Sequence, residues 1–287
     1  MTKTRRAACV IGWPAGHSRS PLIHNYWIRR HGLDAEYRRE AVPPEEFASF
    51  LRQLAERGYV GANVTLPHKE EALACSAPDE RATKVGAANT LWLDNGTLRS
   101  TNTDVEGFLG NLDDQTPGWD HALETAMLLG AGGAARAAAT GLLERGVARL
   151  YIANRSFERA VALQERFGSS LLPVRWQEMN ELLGSTALLV NTTSLGMHGQ
   201  PPLRVEIDRL PPAAVVADIV YVPLQTELLV AARACGLRTA DGLGMLLHQA
   251  VRGFSLWFGV TPEVTPELRA LVEADLASGL AASSRPE

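Results

Sequence analysis

The sequence predicts an α/β protein built as two domains, and three observations carry that prediction. At 287 residues the chain is close to twice the usual domain of about 150, and single cores stop growing near about 250–300. Short apolar runs alternate with amphipathic stretches along nearly the whole length, the pattern of strands feeding helices. A glycine turn, Gly130-Ala131-Gly132-Gly133, stands between an apolar run and a helical stretch, as a tight strand-to-helix connection does.

Ala7–Ile11 reads as a buried strand and Pro21–Arg30 as a helix with its proline early, where a missing N–H does no harm. Ala35–Val42 alternates like a strand, a helix follows from about Glu45 to Glu56, and Tyr59–Val64 is the next strand. Pro67 is expected at the first position of the helical segment after it. Ala88–Leu93 and Thr97–Ser100 form a hairpin through Asp94-Asn95-Gly96, because Asn-Gly supplies the positive φ values of a tight turn. The polar stretch from 105 to 123, containing NLDDQTPGWDH, is read as the boundary between domains. Beyond it the strands Ala126–Leu129, Leu150–Ala153, Leu172–Val174, Ala187–Val190 and Val215–Ile219 alternate with helices at Ala134–Arg145, Ser156–Phe167 and Thr226–Ala234. Helices at Gly244–Phe258 and Pro266–Ala277 follow, and the tail ASSRPE is expected to fray.

Composition removes several function classes. With 46% hydrophobic residues the chain has material for sizeable cores, and disorder is excluded. A net charge of −4 without a block of like charge gives no footprint for nucleic acid. The three cysteines, Cys9, Cys75 and Cys235, are odd in number and form no CxxC pair, so neither a disulfide framework nor a zinc site is indicated. No apolar run reaches the ~18 residues of a membrane span. After Lys3, Arg5 and Arg6 the stretch AACVIG is too short for a secretory signal. The expected compartment is the cytoplasm.

The glycine turn continues as Gly130-Ala131-Gly132-Gly133-Ala134-Ala135 and fits G-x-G-x-x-A. The first glycine permits the turn, the second lets backbone approach a pyrophosphate, and the small third position lets helix and strand pack closely. Phosphates would then sit at the positive end of the helix. This predicts a Rossmann-type dinucleotide domain, a purely structural turn being the alternative. The end of the following strand selects the nucleotide. An NAD enzyme usually presents Asp or Glu there to the ribose 2′-hydroxyl. This chain has Asn154-Arg155-Ser156, with Arg159 one turn on; two arginines and a hydroxyl suit a 2′-phosphate, so NADP is predicted.

The first hundred residues place polar groups at the expected strand ends: His17-Ser18-Arg19-Ser20, Asn63-Val64-Thr65 with His68-Lys69, Asn89-Thr90, and Asn102-Thr103-Asp104. Ligands of open α/β sheets bind outside the carboxyl ends of strands, so these loops are expected to converge on a small polyhydroxylated ligand. Taken singly each is as well explained as a turn or cap residue. Lys69, expected near the third position of a helix, opposes the dipole, which suggests a proton-transfer group balanced by Asp104; a solvated lysine is the bland alternative.

These motifs in order, HSRSP, NVTLPHK, GAANT, NTD, GAGGAAR, NR, NTTSLGM and DGLGMLLHQA, resemble the shikimate dehydrogenase family from residue 16 to about 250. The resemblance implies NADP-dependent reduction of 3-dehydroshikimate to shikimate in the route to aromatic amino acids. It implies a discontinuous α/β substrate domain, residues 1–105 and 240–287, and a Rossmann-type NADP domain, residues 106–239, with a cleft between them. By motif, Ser18 and Ser20 would hold the substrate carboxylate with Tyr221. Asn63, Thr65, Asn89 and Gln249 would bind ring hydroxyls, and Lys69 with Asp104 would be the catalytic pair. The cofactor set would be Gly130, Ala131, Gly132, Gly133, Ala134, Asn154, Arg155, Ser156 and Arg159, with Thr192, Ser194, Met197, Ile219 and Gly242 on the nicotinamide side.

Two departures stand out: Val105-Glu106 follow the NTD where many members have Gly, and Val222 follows Tyr221 where many have Asn. Neither removes a ligand group. The competing functions are a quinate/shikimate dehydrogenase of looser specificity and a non-catalytic nucleotide-binding relative; acidic residues at 154 or 155 would have favoured the first, and the intact Lys69 and Asp104 oppose the second. His24 and His31 could share a helix face but have no third ligand, so no metal is expected. His68 is read as touching solvent or substrate, and the other histidines as structural or exposed. The expected partner is the small-molecule substrate alone, with no nucleic acid or membrane; the oligomeric state stays open, a homodimer included.

Overall fold

The computed structural model describes residues 6–121 and 123–283. The segment read for a secretory signal begins in residues outside that range, and so does most of the tail expected to fray. The chain divides into two compact units, Met1–Thr103 with Gln249–Glu287, and Asp104–His248.

The first unit contains a six-stranded sheet. Its strands are β1 (Arg6–Gly12), β2 (Ala35–Ala41), β3 (Tyr59–Val64), β4 (Ala77–Pro78), β5 (Thr90–Asp94) and β6 (Thr97–Thr101), in the order β2-β1-β3-β5-β6-β4. β1 pairs in parallel with both β2 and β3, while β3–β5 and β5–β6 are antiparallel. The β5–β6 turn has Asn95 at φ 49° and Gly96 at φ 83°, the left-handed pair that makes Asn-Gly a hairpin signal. Helices α1 (Ser20–Arg30), α2 (Pro44–Arg52), α3 (Lys69–Ala74) and α4 (Glu80–Val85) link the strands. On one face Cys9, Ile11, Phe47, Leu54, Ala62 and Leu91 form a core. On the other, His24, Trp27, Tyr37, Phe254 and Trp257 pack ring against ring. Gly61 lies on this face because any side chain would collide: a Cβ there falls 2.1 Å from Trp257 Nε1 and 2.3 Å from the Leu91 carbonyl oxygen.

The second unit is one parallel sheet of β7 (Thr125–Leu129), β8 (Arg149–Asn154), β9 (Leu171–Arg175), β10 (Leu188–Asn191), β11 (Val215–Asp218) and β12 (Arg238–Ala240). Its order, β12-β11-β10-β7-β8-β9, is that of the dinucleotide-binding doubly wound fold. Helices α5 (Asp104–Gln115), α6 (Gly133–Glu144), α7 (Phe157–Phe167) and α8 (Glu227–Ala234) belong to it, with two 3₁₀ segments at Trp176–Ser185 and Ile207–Arg209. Successive strand residues feed different cores, Leu128, Ile152 and Val190 one, Met127, Leu129 and Leu189 another, as period-two geometry requires. Helix α9 (Leu243–Phe258) runs from the second unit into the first, and α10 (Pro266–Ser283) ends the described chain.

Two expectations are corrected and one is sharpened. The division between the units falls at the start of the 105–123 stretch, between Thr103 and Asp104, and the first half of that stretch is α5, whose Val105, Phe108 and Leu112 are buried at helical spacing. The helix from Glu45 stops at Arg52 rather than Glu56. Pro67 is not the first helical residue: its bond to Leu66 is cis, a turn closes from His68 N–H to the Thr65 carbonyl at 3.1 Å, and α3 starts at Lys69. Lys69 is therefore the first helical residue and not near the third.

Candidate active site

In the first unit the strand order reverses direction of growth at β1 and β3, and ligands of open sheets bind at such switch points. The two strand ends are laced together: Thr65 N–H donates to the Ile11 carbonyl at 2.9 Å and Trp13 N–H to that of Leu66 at 3.1 Å. Gly12 is required there, since a Cβ would come within 2.5 Å of the Thr65 methyl. Ser18 and Ser20 follow β1, and Ser18 Oγ accepts from Ser20 N–H at 3.3 Å. Arg39 on β2 donates twice to the Ser18 carbonyl, at 3.2 and 2.8 Å, which fixes the loop.

Asn63, at the end of β3, is buried and donates from Nδ2 to Thr90 Oγ1 at 3.1 Å and to the Asn89 carbonyl at 3.3 Å. Its Oδ1 accepts from the Tyr37 phenol at 2.6 Å. Asn89 Oδ1 accepts from Thr103 N–H at 2.8 Å, and Val64 N–H donates to the Asn89 carbonyl at 2.8 Å. The Lys69 carbonyl accepts from Ala88 N–H at 2.8 Å, so the start of α3 lies beside the Asn89 segment. The structure thus brings Ser18, Ser20, Asn63, Thr65, Lys69 and Asn89 onto connected strand ends of one unit. Gln249 is buried on α9 in the same unit, while Asp104, first residue of α5, and Tyr221 belong to the second.

His68 does not face solvent or ligand. It is buried, its ring stacks on Phe47 at 4.4 Å, and Nε2 lies 2.8 Å from the Val42 carbonyl. His24 is fully buried, and burial lowers it to about 3, so it stays neutral and works as an aromatic packing residue. His31 is the residue after α1.

In the second unit the switch point falls between β7 and β10. Gly130 follows β7 at φ 108°, where a Cβ would meet Thr192 Oγ1 at 2.9 Å and the Thr193 methyl at 3.0 Å. The α6 N-terminus has no side-chain cap and no acidic residue, and a Cβ on Gly132 would meet nothing within 4 Å. Bare N–H groups opening on free space fit the diphosphate of a dinucleotide. Ala135 is fully buried, the tight helix–strand approach expected of the third small position. Asn154 ends β8 and donates to the Ser156 carbonyl at 2.8 Å, while Arg155, Ser156 and Arg159 are exposed at the start of α7. Ser156 makes no side-chain cap to that helix.

A buried network not foreseen from the sequence shapes the other side of this switch point. Asp218 accepts from Val220 N–H at 3.0 Å, Asn191 Nδ2 at 2.9 Å and Thr226 Oγ1 at 2.7 Å. Asn191 in turn accepts from Thr193 N–H and Oγ1, at 3.0 and 2.7 Å, and donates to the Leu195 carbonyl at 3.1 Å. These bonds fold the segment carrying Thr192, Ser194 and the 41% exposed Met197. Gly242 lies against the Ile219–Val220 backbone with no room for a side chain, its Cβ position being 2.2 Å from the Ile219 carbonyl oxygen.

Comparison with known proteins agrees along the chain. Residues 10–91 match the shikimate dehydrogenase substrate binding domain, 114–198 the shikimate/quinate 5-dehydrogenase model, and 242–271 the shikimate 5′-dehydrogenase C-terminal domain. A shikimate dehydrogenase (NADP(+)) of Rhodopseudomonas palustris strain TIE-1 is 65% identical over 96% of this chain and 99% of its own. Among solved structures, quinate dehydrogenase from Corynebacterium glutamicum in complex with NAD aligns with a TM-score of 0.87 at 31% identity, over 93% of this chain and 98% of that one. Shikimate 5-dehydrogenase from Thermus thermophilus in complex with NADP(H) and shikimate aligns at 0.80 and 33% identity, over 95% and 98%. On this evidence, joined to the two switch points and the motifs that line them, the chain belongs to the shikimate dehydrogenase family.

Proposed function

We infer that this chain is an oxidoreductase that reduces 3-dehydroshikimate to shikimate with NADPH, reversibly. The observation that carries it is the convergence of hydroxyl, amide and lysine groups at the β1/β3 ends of a unit whose companion is a glycine-turn dinucleotide fold. The first unit takes the substrate and the second the nucleotide. Ser18 and Ser20, with Tyr221, hold the carboxylate; Asn63, Thr65, Asn89 and Gln249 hold ring hydroxyls. Bound NADPH supplies the hydride. Lys69 donates the proton that the carbonyl oxygen takes up and removes it in the reverse direction, with Asp104 orienting the ammonium; this pairing rests on the motif match. Gly130 to Ala134 cradle the diphosphate, and Thr192, Ser194, Met197, Ile219 and Gly242 bound the nicotinamide side. Asn154, Arg155, Ser156 and Arg159 take the 2′-phosphate, for which no acidic residue stands at the end of β8. The three unpaired cysteines accord with a cytoplasmic setting.

The likeness to an NAD-bound quinate dehydrogenase makes the cofactor and substrate pairing the decisive measurement. Nicotinamide absorbance is followed with shikimate and quinate, each against NADP and NAD, in the wild type and in R155A/R159A. Shikimate with NADP should turn over fastest. The double variant should raise KM for NADP by about 100-fold, two ionic hydrogen-bonding partners at about 1.4 kcal/mol each, and leave NAD use nearly unchanged. Preference for quinate with NAD in the wild type would overturn the assignment.

A further inference from the structure

Asp241, Gly242 and Leu243 carry the chain from β12 into α9, and Gly242 is the residue assigned above to the nicotinamide side. Two side chains of α5 grip the backbone of this turn. Gln115 Oε1 accepts from Asp241 N–H at 3.2 Å, and Asn111 Nδ2 donates to the Asp241 carbonyl at 2.6 Å. The remaining amide groups meet each other, Gln115 Nε2 donating to Asn111 Oδ1 at 2.5 Å. A peptide N–H can only donate and a carbonyl only accept, so neither amide can turn over without breaking the ring of bonds. Asp241 Oδ1 closes the turn itself by accepting from Leu243 N–H at 3.0 Å. Asn111 and Asp241 are both buried, so water does not replace a lost bond there.

Two glycines make the grip tight. A Cβ on Gly244 would fall 1.7 Å from Asn111 Oδ1, so the first turn of α9 lies hard against α5. On the other side, the Cβ position of Gly242 is 2.2 Å from the Ile219 carbonyl oxygen and 2.7 Å from that of Val220. The turn is thus wedged between α5 and the segment after β11 that carries Ile219, itself assigned to the nicotinamide side. Helix α5 also begins with Asp104. Asp104, Asn111 and Gln115 follow one another at spacings of seven and four, which puts them along one face of the helix. Asn111 is about 10 Å from Asp104 along its axis.

We propose that Asn111 and Gln115 are positioning residues for hydride transfer: they fasten the turn that bounds the nicotinamide to the same helix that carries Asp104. This rests on the assignment of Gly242 and Asp104 made above. Transfer needs the two reacting carbons about 3–3.5 Å apart. A turn released from α5 lets the nicotinamide drift from that distance, while the diphosphate and the 2′-phosphate keep their own sites at the start of α6 and α7. The rate therefore falls and affinity does not.

The test is Gln115→Met, which keeps the length of the side chain and removes both polar atoms. Oxidation of NADPH by 3-dehydroshikimate is followed in a single turnover, with protium or deuterium at the transferred position so that the hydride step is identified. Calorimetry gives the dissociation constants of NADPH and shikimate. The rate constant of hydride transfer should fall about tenfold, the effect of one hydrogen bond, with both dissociation constants within about twofold of wild type. Gln115→Glu keeps the acceptor toward Asp241 N–H and should lose less. An unchanged rate constant, whatever happens to Tm, would make the ring of bonds merely structural, and a loss of affinity as large as the loss of rate would make it a binding element; both overturn the proposal. Should Q115M not fold, Q115E decides alone: a fall of about threefold in the rate constant at unchanged affinity supports the proposal, and no fall refutes it. Failure of the wild-type protein to oxidise NADPH with 3-dehydroshikimate would instead refute the proposed function, a separate result.

Discussion

Replacing Asp218 by asparagine should change how stability depends on pH, by an amount the structure sets. Asp218 is 2% exposed at the end of β11 and accepts three hydrogen bonds that favour its charged form. Burial outweighs them and pushes the carboxyl from its ordinary 3.8 up to about 6. At about 1.4 kcal/mol per pH unit this amounts to about 3 kcal/mol of folded-state preference for the protonated acid. The contribution is fully present below about pH 4, where both folded and unfolded chains hold the proton, and is lost as the pH rises through 6. Asparagine keeps the acceptor toward Val220 and Asn191, and its amide can donate to a turned Thr226 hydroxyl, so the shape of the network survives without a titrating group. Urea unfolding of both proteins from pH 4 to pH 8 reads the effect as a difference. Relative to D218N, the wild type should lose about 3 kcal/mol across that range. Parallel profiles, or a wild type that gains stability toward neutral pH relative to the variant, would refute the dominance of burial over hydrogen bonding.

Lys69→Ala should lower kcat at least ~100-fold while shikimate affinity by calorimetry falls far less, and Asp104→Asn should lose both rate and affinity. The double variant should be little worse in kcat than Lys69→Ala alone; near-normal turnover in the single variant would return Lys69 to a solvated residue. Gly61→Ala should cost about 2–4 kcal/mol in urea unfolding. The added Cβ meets Trp257 Nε1 and the Leu91 carbonyl, whose mutual hydrogen bond of 2.8 Å must break. A cost below about 1 kcal/mol would mean that α9 shifts without resistance.

Elements fixed by local chemistry were legible in the sequence. Strand and helix periods placed most elements, Asn95-Gly96 announced its hairpin, and the glycine turn announced the β7–α6 connection together with its open helix end. Misplaced features had local signals that pointed elsewhere. In α5 the polar residues Asn111, Asp113 and Asp114 crowd around Leu112 and hide a buried stripe, and Asn111 is polar because it donates to the Asp241 carbonyl at 2.6 Å, 130 residues away in sequence. Tyr37 shows the same limit. Alternation placed its strand, but the acceptor of its phenol, Asn63, lies at the end of another strand, a relation no local pattern carries. Asp218 passed as an ordinary strand-end residue because its three donors come from separate segments.

The division of the chain into a split first unit and a continuous second one has a consequence for biosynthesis. Asp104–His248 leaves the ribosome as an uninterrupted stretch and can complete its sheet alone. The first unit cannot, although its strands are made first. Trp257 Nε1 donates to the Leu91 carbonyl at 2.8 Å, Trp27 Nε1 to that of Glu263 at 3.0 Å, and Phe254 stacks on His24. Until those late residues emerge, Gly61, His24 and Trp27 present an uncovered apolar face. At about 5–20 residues per second, the intervening synthesis lasts on the order of ten seconds. For that interval the earliest-made part of the chain is the least finished, and it is the part that a holding chaperone would cover.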